Sequence, residues 1–264
     1  MNEKNLEYLK DQLKYTGFGE SYNSYLKEKI EQQIPEFKIF HKQDFGQDHA
    51  VATLHLKRSD QSDMYFFNKY DLHLKNEKTD HVAKQTFYMG KGNNITFKEG
   101  YNLLSGRAVN KDLTSKEGQI YNAWVQLNFK ETDAAGNYQI NKFHQNYGFD
   151  LKKELARHPI KELSNDQDKA RLIESLQRGN RQAVTVTKEG SDQRIFIEAN
   201  PKFKTINLYD HNMQRIQSQS QKEKNVQQQS VTAEAGKKTQ KQDDDMEGAP
   251  KTNQKRKKQT KQSI

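Results

Sequence analysis

The chain has 264 residues, with 44 Lys or Arg against 35 Asp or Glu, a formal net charge of +9 and no cysteine. The lack of cysteine excludes disulfides, thiolate metal sites and a cysteine nucleophile. No window approaches the ~18 consecutive apolar residues needed to span a bilayer, and the leading MNEKNLEYLK lacks a basic stretch followed by an apolar run, so the expectation is a cytoplasmic protein with no membrane partner.

In chain order, Leu6, Leu9 and Leu13 recur at helical spacing, and the Gly17-Phe18-Gly19 turn stops that first helix. Tyr22, Tyr25, Leu26, Ile30 and Ile34 form the apolar stripe of a second helix, ended by Pro35. From Phe37 the period changes to two. Segments near 37–42, 49–57, 64–75 and 84–89 read as an antiparallel meander, joined by the turn-forming stretches RSDQSD, NEKTD and GKGNN. In the second of these strands Val51 to Leu56 is a mixed run, and which face is buried stays open.

Thr96 and Glu99 fit a capping box at the start of a short helix carrying Phe97, Tyr101 and Leu104, with Gly106 at its end. Further strands follow in RAVNKDL, in the alternating QIYNAWVQLNF and in YQINKFHQNY. Two helices come next: FDLKKELARH, closed by Pro159, and NDQDKARLIESLQR, for which Ser164 is the expected cap. QAVTVT, RIFIEA and TINLYD then read as strands. Runs of strands, rather than strict strand–helix alternation, predict an α+β fold of antiparallel sheets with flanking short helices.

All 13 Phe, 12 Tyr and the single Trp lie at or before Tyr209. The last 48 residues, Gln217–Ile264, hold eleven Lys or Arg and six Asp or Glu, which is +5 of the +9 charge. Such a segment buries too little apolar surface to offset its conformational entropy, and a disordered Gln/Lys-rich tail is expected. The expected organisation is an N-terminal α+β region over 1–105, a C-terminal α+β region over 106–216 and the tail over 217–264.

The strings LLSGRAVNKDL (103–113), EGQIYNAWVQLNF (117–129), GNYQINKFHQNYGFDL (136–151), HPIKEL (158–163), RGNRQAVTV (178–186) and FIEANPKFKTINLYD (196–210) resemble an uncharacterised domain family found in Bacteroidetes conjugative-transposon and other mobile-element proteins. YLKDQLKYTGFGE (8–20) and SDQSDMYFFNKYDLHLK (59–75) resemble the leading portion of its short members. The resemblance covers about the whole aromatic-containing body. It implies a bacterial cytoplasm and genes of DNA transfer, in which larger relatives stand beside DNA-processing domains. It brings no catalytic residues, because the family has no established activity.

On the strand 119–130, Trp124 shares a face with Asn122, Gln126, Asn128 and Lys130; it either stacks a nucleobase or is covered by a helix. Arg107, Lys111, Arg178, Arg181, Lys202 and Lys204 lie in or beside loops. They either converge on phosphates or are ordinary solvated surface. Lys255, Arg256, Lys257, Lys258 and Lys261 offer a weak, salt-sensitive polyanion contact. The eight histidines show no metal-ligand spacing, so no metal and no cofactor is expected. No nucleophile elbow or phosphate-binding loop is present. The expectation is a non-enzymatic accessory protein that binds DNA or RNA or a nucleoprotein complex. The alternative is an adaptor that docks on a DNA-processing or host protein without touching nucleic acid.

Overall fold

Apolar residues at three- and four-residue spacing begin the chain, and they build a helix. α1 (Glu3–Tyr15) is capped by Asn2, whose side-chain oxygen accepts from the Asn5 N–H at 3.1 Å, and it buries Leu6, Leu9 and Leu13. Gly17, at φ +90°, takes the left-handed conformation that turns the chain out of it. α2 (Asn23–Glu31) buries Leu26 and Ile30.

The computed structural model describes residues 2–76, 81–90, 93–188 and 190–216. Everything expected of 217–264 lies outside the described residues, as do the candidates Lys255, Arg256, Lys257, Lys258 and Lys261. So do Lys91 and Gly92 of the glycine-rich stretch.

The period-two segments form a four-stranded meander of β1 (Glu36–Phe45), β2 (Asp48–Arg58), β3 (Tyr65–Lys75) and β4 (Val82–Tyr88), paired antiparallel in that order. Alternation settles its two faces. Phe37, Ile39, Ala50, Ala52, Leu54, Leu56, Phe67, Tyr70, Leu72, Leu74 and Phe87 point inward. The ambiguous run in β2 resolves with both alanines inside and Val51 outside. β3 carries a bulge at Asn68, where its pairing with β2 shifts register between His55 and Leu56.

α3 (Phe97–Leu104) opens with the expected capping box, both of whose hydrogen bonds are present. It packs on the inner face of the meander at Gly100. A Cβ there would lie 2.9 Å from Leu72 Cδ2 and 3.0 Å from both Phe87 Cε2 and Tyr70 Oη.

A middle sheet follows, in the order β5 (Val109–Thr114), β6 (Ile120–Thr132), β7 (Tyr138–His144). It serves two apolar clusters at once. Val109, Leu113, Ala123, Val125 and Leu127 join the cluster formed by the meander and the first three helices. Trp124 joins a second cluster with α4 (Leu151–Leu155), α5 (Asp166–Gln177) and the last sheet.

That last sheet runs β11-β10-β9-β8, with β8 (Gln182–Lys188), β9 (Ser191–Asn200), β10 (Thr205–Tyr209) and β11 (Arg215–Ile216). The cap of α5 is Asn165 rather than Ser164. Asn165 Oδ1 accepts from the N–H groups of Gln167 (2.9 Å) and Asp168 (3.1 Å). Ser164 instead ends a short 3-10 turn (Lys161–Ser164) and donates to the Lys161 carbonyl, which delays the helix by one residue.

Among the described residues, five α-helices and eleven strands in three antiparallel sheets define an α+β fold. No described helix is long and apolar enough to cross a membrane. Residues 1–216 form one compact unit.

Candidate nucleic-acid interface

The meander places its first three helices on one face and leaves the other open. Because strand side chains alternate, the register fixes what stands there. One row across the sheet is Lys42, Val51, His73, Lys84; the next is Phe40, Thr53, Asp71, Thr86; the third is Lys38, His55, Lys69, Tyr88. Lys57 follows, opposite Glu36 on one side and Phe66 on the other. At the opposite end stand Asp44, His49, Lys75 and Val82. Six lysines thus share a surface with three carboxylates. Among the described residues only Lys57 has an ion-pair partner, the exposed Asp60 at 3.6 Å. Phe40 and Tyr88 are each 67% exposed and Phe66 is 45% exposed.

At the centre of this face Asp71 is held on both oxygens. His55 Nε2 donates to one at 2.6 Å and Thr86 Oγ1 to the other at 2.7 Å. Partial burial pushes the Asp71 carboxyl up, but the hydrogen bonds from Thr86 and His55 outweigh it and the group sits below its ordinary value. His49 Nδ1 lies 2.7 Å from Asp44 in the same way. The Asp44 carboxyl is likewise lowered, chiefly by that hydrogen bond. Lysines therefore outnumber the carboxylates left on this surface, of which Glu36 at its end is exposed.

The residues singled out from sequence lie elsewhere, and most are occupied. Trp124 is 7% exposed and meets Phe149 edge-on at 5.4 Å in the second apolar cluster. A ring so enclosed offers no face to a base. Arg107 is 8% exposed. Its Nε donates to the Gly179 carbonyl at 2.9 Å and its guanidinium to Asn102 Oδ1 at 2.6 Å, so it ties α3 to the turn after α5 and holds no phosphate.

Lys111 is held by both oxygens of Glu99 at 2.9 and 2.6 Å. Arg178 pairs with Glu174. These two cations do share a shallow cleft, but Glu99, Asp112 and Glu174 line it as well, so carboxylates outnumber them there. Arg181 donates to Glu198 Oε2 at 3.2 and 3.1 Å and lies over the Tyr209 ring at 4.4 Å. Tyr209 also donates to Glu198. Burial, then that hydrogen bond, pushes its hydroxyl up to about 12.

Lys202 and Lys204 are the two that come together in the open. They flank Phe203, which is 61% exposed, in the 3-10 turn between β9 and β10. Lys204 adopts a left-handed φ of +53°. Its ammonium sits 4.7 Å above the Tyr147 ring, and the Tyr147 hydroxyl donates to the Lys202 carbonyl at 2.8 Å.

The meander lysines were not singled out from sequence. The signal that finds them is Lys at alternate positions 38 and 42 with Phe40 between, read together with Lys69, Lys84 and Tyr88. It gathers into one surface only once the strand register is known. No protein-family model, curated protein or solved structure matches the chain.

Proposed function

We propose that this is a non-enzymatic accessory protein of a mobile genetic element, working in a bacterial cytoplasm. It binds nucleic acid, free or in a nucleoprotein complex, on the open face of the β1–β4 meander. The observation that carries the reading is the six-lysine face, which no helix covers and whose carboxylates at Asp71 and Asp44 are engaged by histidines. A local patch of this kind supplies a footprint that the overall charge of the body does not. The basic residues near 255–261 add reach and local concentration.

The test is binding of labelled DNA and RNA to the full chain at two salt concentrations. It is paired with a variant in which Lys38, Lys42, Lys69 and Lys84 are changed to Gln. Loss of four phosphate contacts lowers the slope of log affinity against log salt by roughly 3, at about 0.7–0.9 per contact. A full chain that binds neither polymer at low salt sinks the reading. So does a face variant that binds like the parent.

A second reading, an adaptor that docks on a DNA-processing protein, is favoured by one feature. β7 is an edge strand of the middle sheet, with Ile140 41% exposed, and edge strands accept added strands. Capture of a specific protein that survives nuclease treatment and is lost on Ile140→Lys distinguishes it from the first.

A further inference from the structure

Taking the open meander face as the nucleic-acid site, we infer that its ligand is a single strand, stacked base by base on Phe40, Tyr88 and Phe66 and read without regard to the sugar. The inference rests on the reading above and adds three things to it: strandedness, the stacking residues and indifference to DNA or RNA.

The aromatic side chains of the open face differ from those of the core, and Tyr8, Tyr15 and Phe203 are exposed elsewhere without so many lysines around them. Phe18, Tyr70 and Phe97 pack edge to face or tilted against other rings in the core. Phe40, Phe66 and Tyr88 make no ring contact with another described aromatic side chain, and they stand half to two-thirds exposed on a face that also carries six lysines, histidines, threonines, two valines and three carboxylates. Burying a ring is worth more than exposing it, so three unpacked rings on one charged surface mark a place where a flat apolar partner completes them. Lysines stand beside each: Lys38 and Lys42 on the strand of Phe40, Lys69 opposite Tyr88, Lys57 opposite Phe66. Alternating cations and open rings are the composition of a single-strand platform.

Geometry excludes the duplex as the better ligand. The rings stand on β1, β3 and β4. Phe40 and Tyr88 are three strand intervals apart, about 14 Å at ~4.8 Å per interval. Too far apart to stack on each other, they take separate bases, which must be splayed. Base faces within a duplex are already stacked. A sheet presented face-on over four strands is also wider than the ~12 Å major groove, which admits a helix or a two-stranded ribbon.

The sugar is weakly selected because the central carboxylate, Asp71, already accepts from His55 and Thr86, and Asp44 accepts from His49. Glu36 stands at the end of the face, opposite Lys57. The lysines that dominate the face meet phosphate in DNA and RNA alike.

The experiment uses the full chain with Lys255, Arg256, Lys257, Lys258 and Lys261 changed to Gln, so that the tail does not mask the body. Anisotropy is measured with labelled oligo-dT, oligo-U, a hairpin duplex of equal length and heparin, at two salt concentrations. The variants are Phe40→Ala, Phe40→Leu and Tyr88→Ala, with melting temperature checked for each. Leucine keeps the apolar bulk and removes the ring face, so it remains informative if alanine disturbs the fold.

The expected result is that both single strands bind within about threefold of each other and more tightly than the duplex. Each ring substitution then weakens them roughly 5- to 100-fold, the range for losing one base–aromatic stack, with the salt slope unchanged. Duplex or heparin binding as tight as oligo-dT, ring variants that bind like the parent, or a tenfold preference for RNA overturns the inference while leaving a lysine-dependent polyanion site in place. Failure of every polymer to bind at low salt removes the site as well.

Discussion

The Nε of Arg107 donates to the carbonyl oxygen of Gly179 across 2.9 Å, joining residues 72 positions apart in the chain. Gly179 sits at φ +80°, and a Cβ there would meet the Ala108 carbonyl oxygen at 2.8 Å, so the turn is pressed against the start of β5. The arginine thus acts as a bolt between the end of α3 and the end of α5.

Arg107→Ala removes two hydrogen bonds from a charged donor, each worth about 1.5–3 kcal/mol, and leaves Gly179 O and Asn102 Oδ1 without it. A loss of about 3–6 kcal/mol in urea unfolding is expected. Arg107→Lys does not restore it, because an ammonium lacks the fork that reaches both acceptors. Nucleic-acid affinity at a temperature where the variant is folded stays that of the parent. A changed salt slope would return Arg107 to the binding surface.

Trp124 makes the same distinction within the middle sheet. Enclosed by the second cluster, it costs about 3–5 kcal/mol on truncation to alanine. That is a fall of roughly 10 °C in melting temperature for a body of this size. Binding of single strands by the folded fraction is unaltered. A variant that melts like the parent but loses binding would contradict the buried placement.

Gly100→Ala sets two effects against each other. Helix propensity favours alanine by about 1 kcal/mol. Against this stand contacts of 2.9–3.0 Å with Leu72, Phe87 and Tyr70. The Tyr70 hydroxyl is itself fixed, donating to the Ile95 carbonyl at 2.9 Å, so it does not yield. Overpacking at about 1–3 kcal/mol wins, and a lower urea midpoint with unchanged slope is the expected outcome.

Lys98 reports on pH. Burial against Phe45 and Tyr101, and then the charge of Arg107, lower its ammonium to about 8. Below that value the group is charged in both folded and unfolded chains, and folding carries the cost of desolvating it. Between about 8 and its ordinary 10.5 the unfolded chain holds a proton that the folded one has released, so this group makes stability rise with pH. Lys98→Met removes that rise and does not destabilise at pH 7. Melting curves from pH 7 to 10 for both proteins check it, and a parallel pair of curves would refute the assignment.

Local chemistry made most of the elements legible. Leu6, Leu9 and Leu13 announced α1, Thr96 and Glu99 announced α3, and alternation placed the strands of the meander. Legibility failed where distant residues decide. Val51 is more apolar than Ala50 or Ala52, yet it faces out, because the side of a strand that turns inward is set by what packs on the sheet. Trp124 sits among amides on its own strand, and its cover comes from residues more than twenty positions later. Arg107, Lys111 and Arg181 read as free cations because Gly179, Glu99 and Glu198 approach them only in the folded chain. The open lysine face failed for the complementary reason: four strands contribute to it, and none alone carries more than two of its six lysines.

The middle sheet gives one apolar cluster Val125 and the other Trp124, adjacent residues of a single strand. Neither cluster can come apart without stripping one side of β6, so the loosening of either half is transmitted directly to the other. The body therefore melts as one cooperative unit, with amide exchange in β6 as slow as global unfolding allows. A cut between 105 and 106 yields two fragments that regain structure only when mixed.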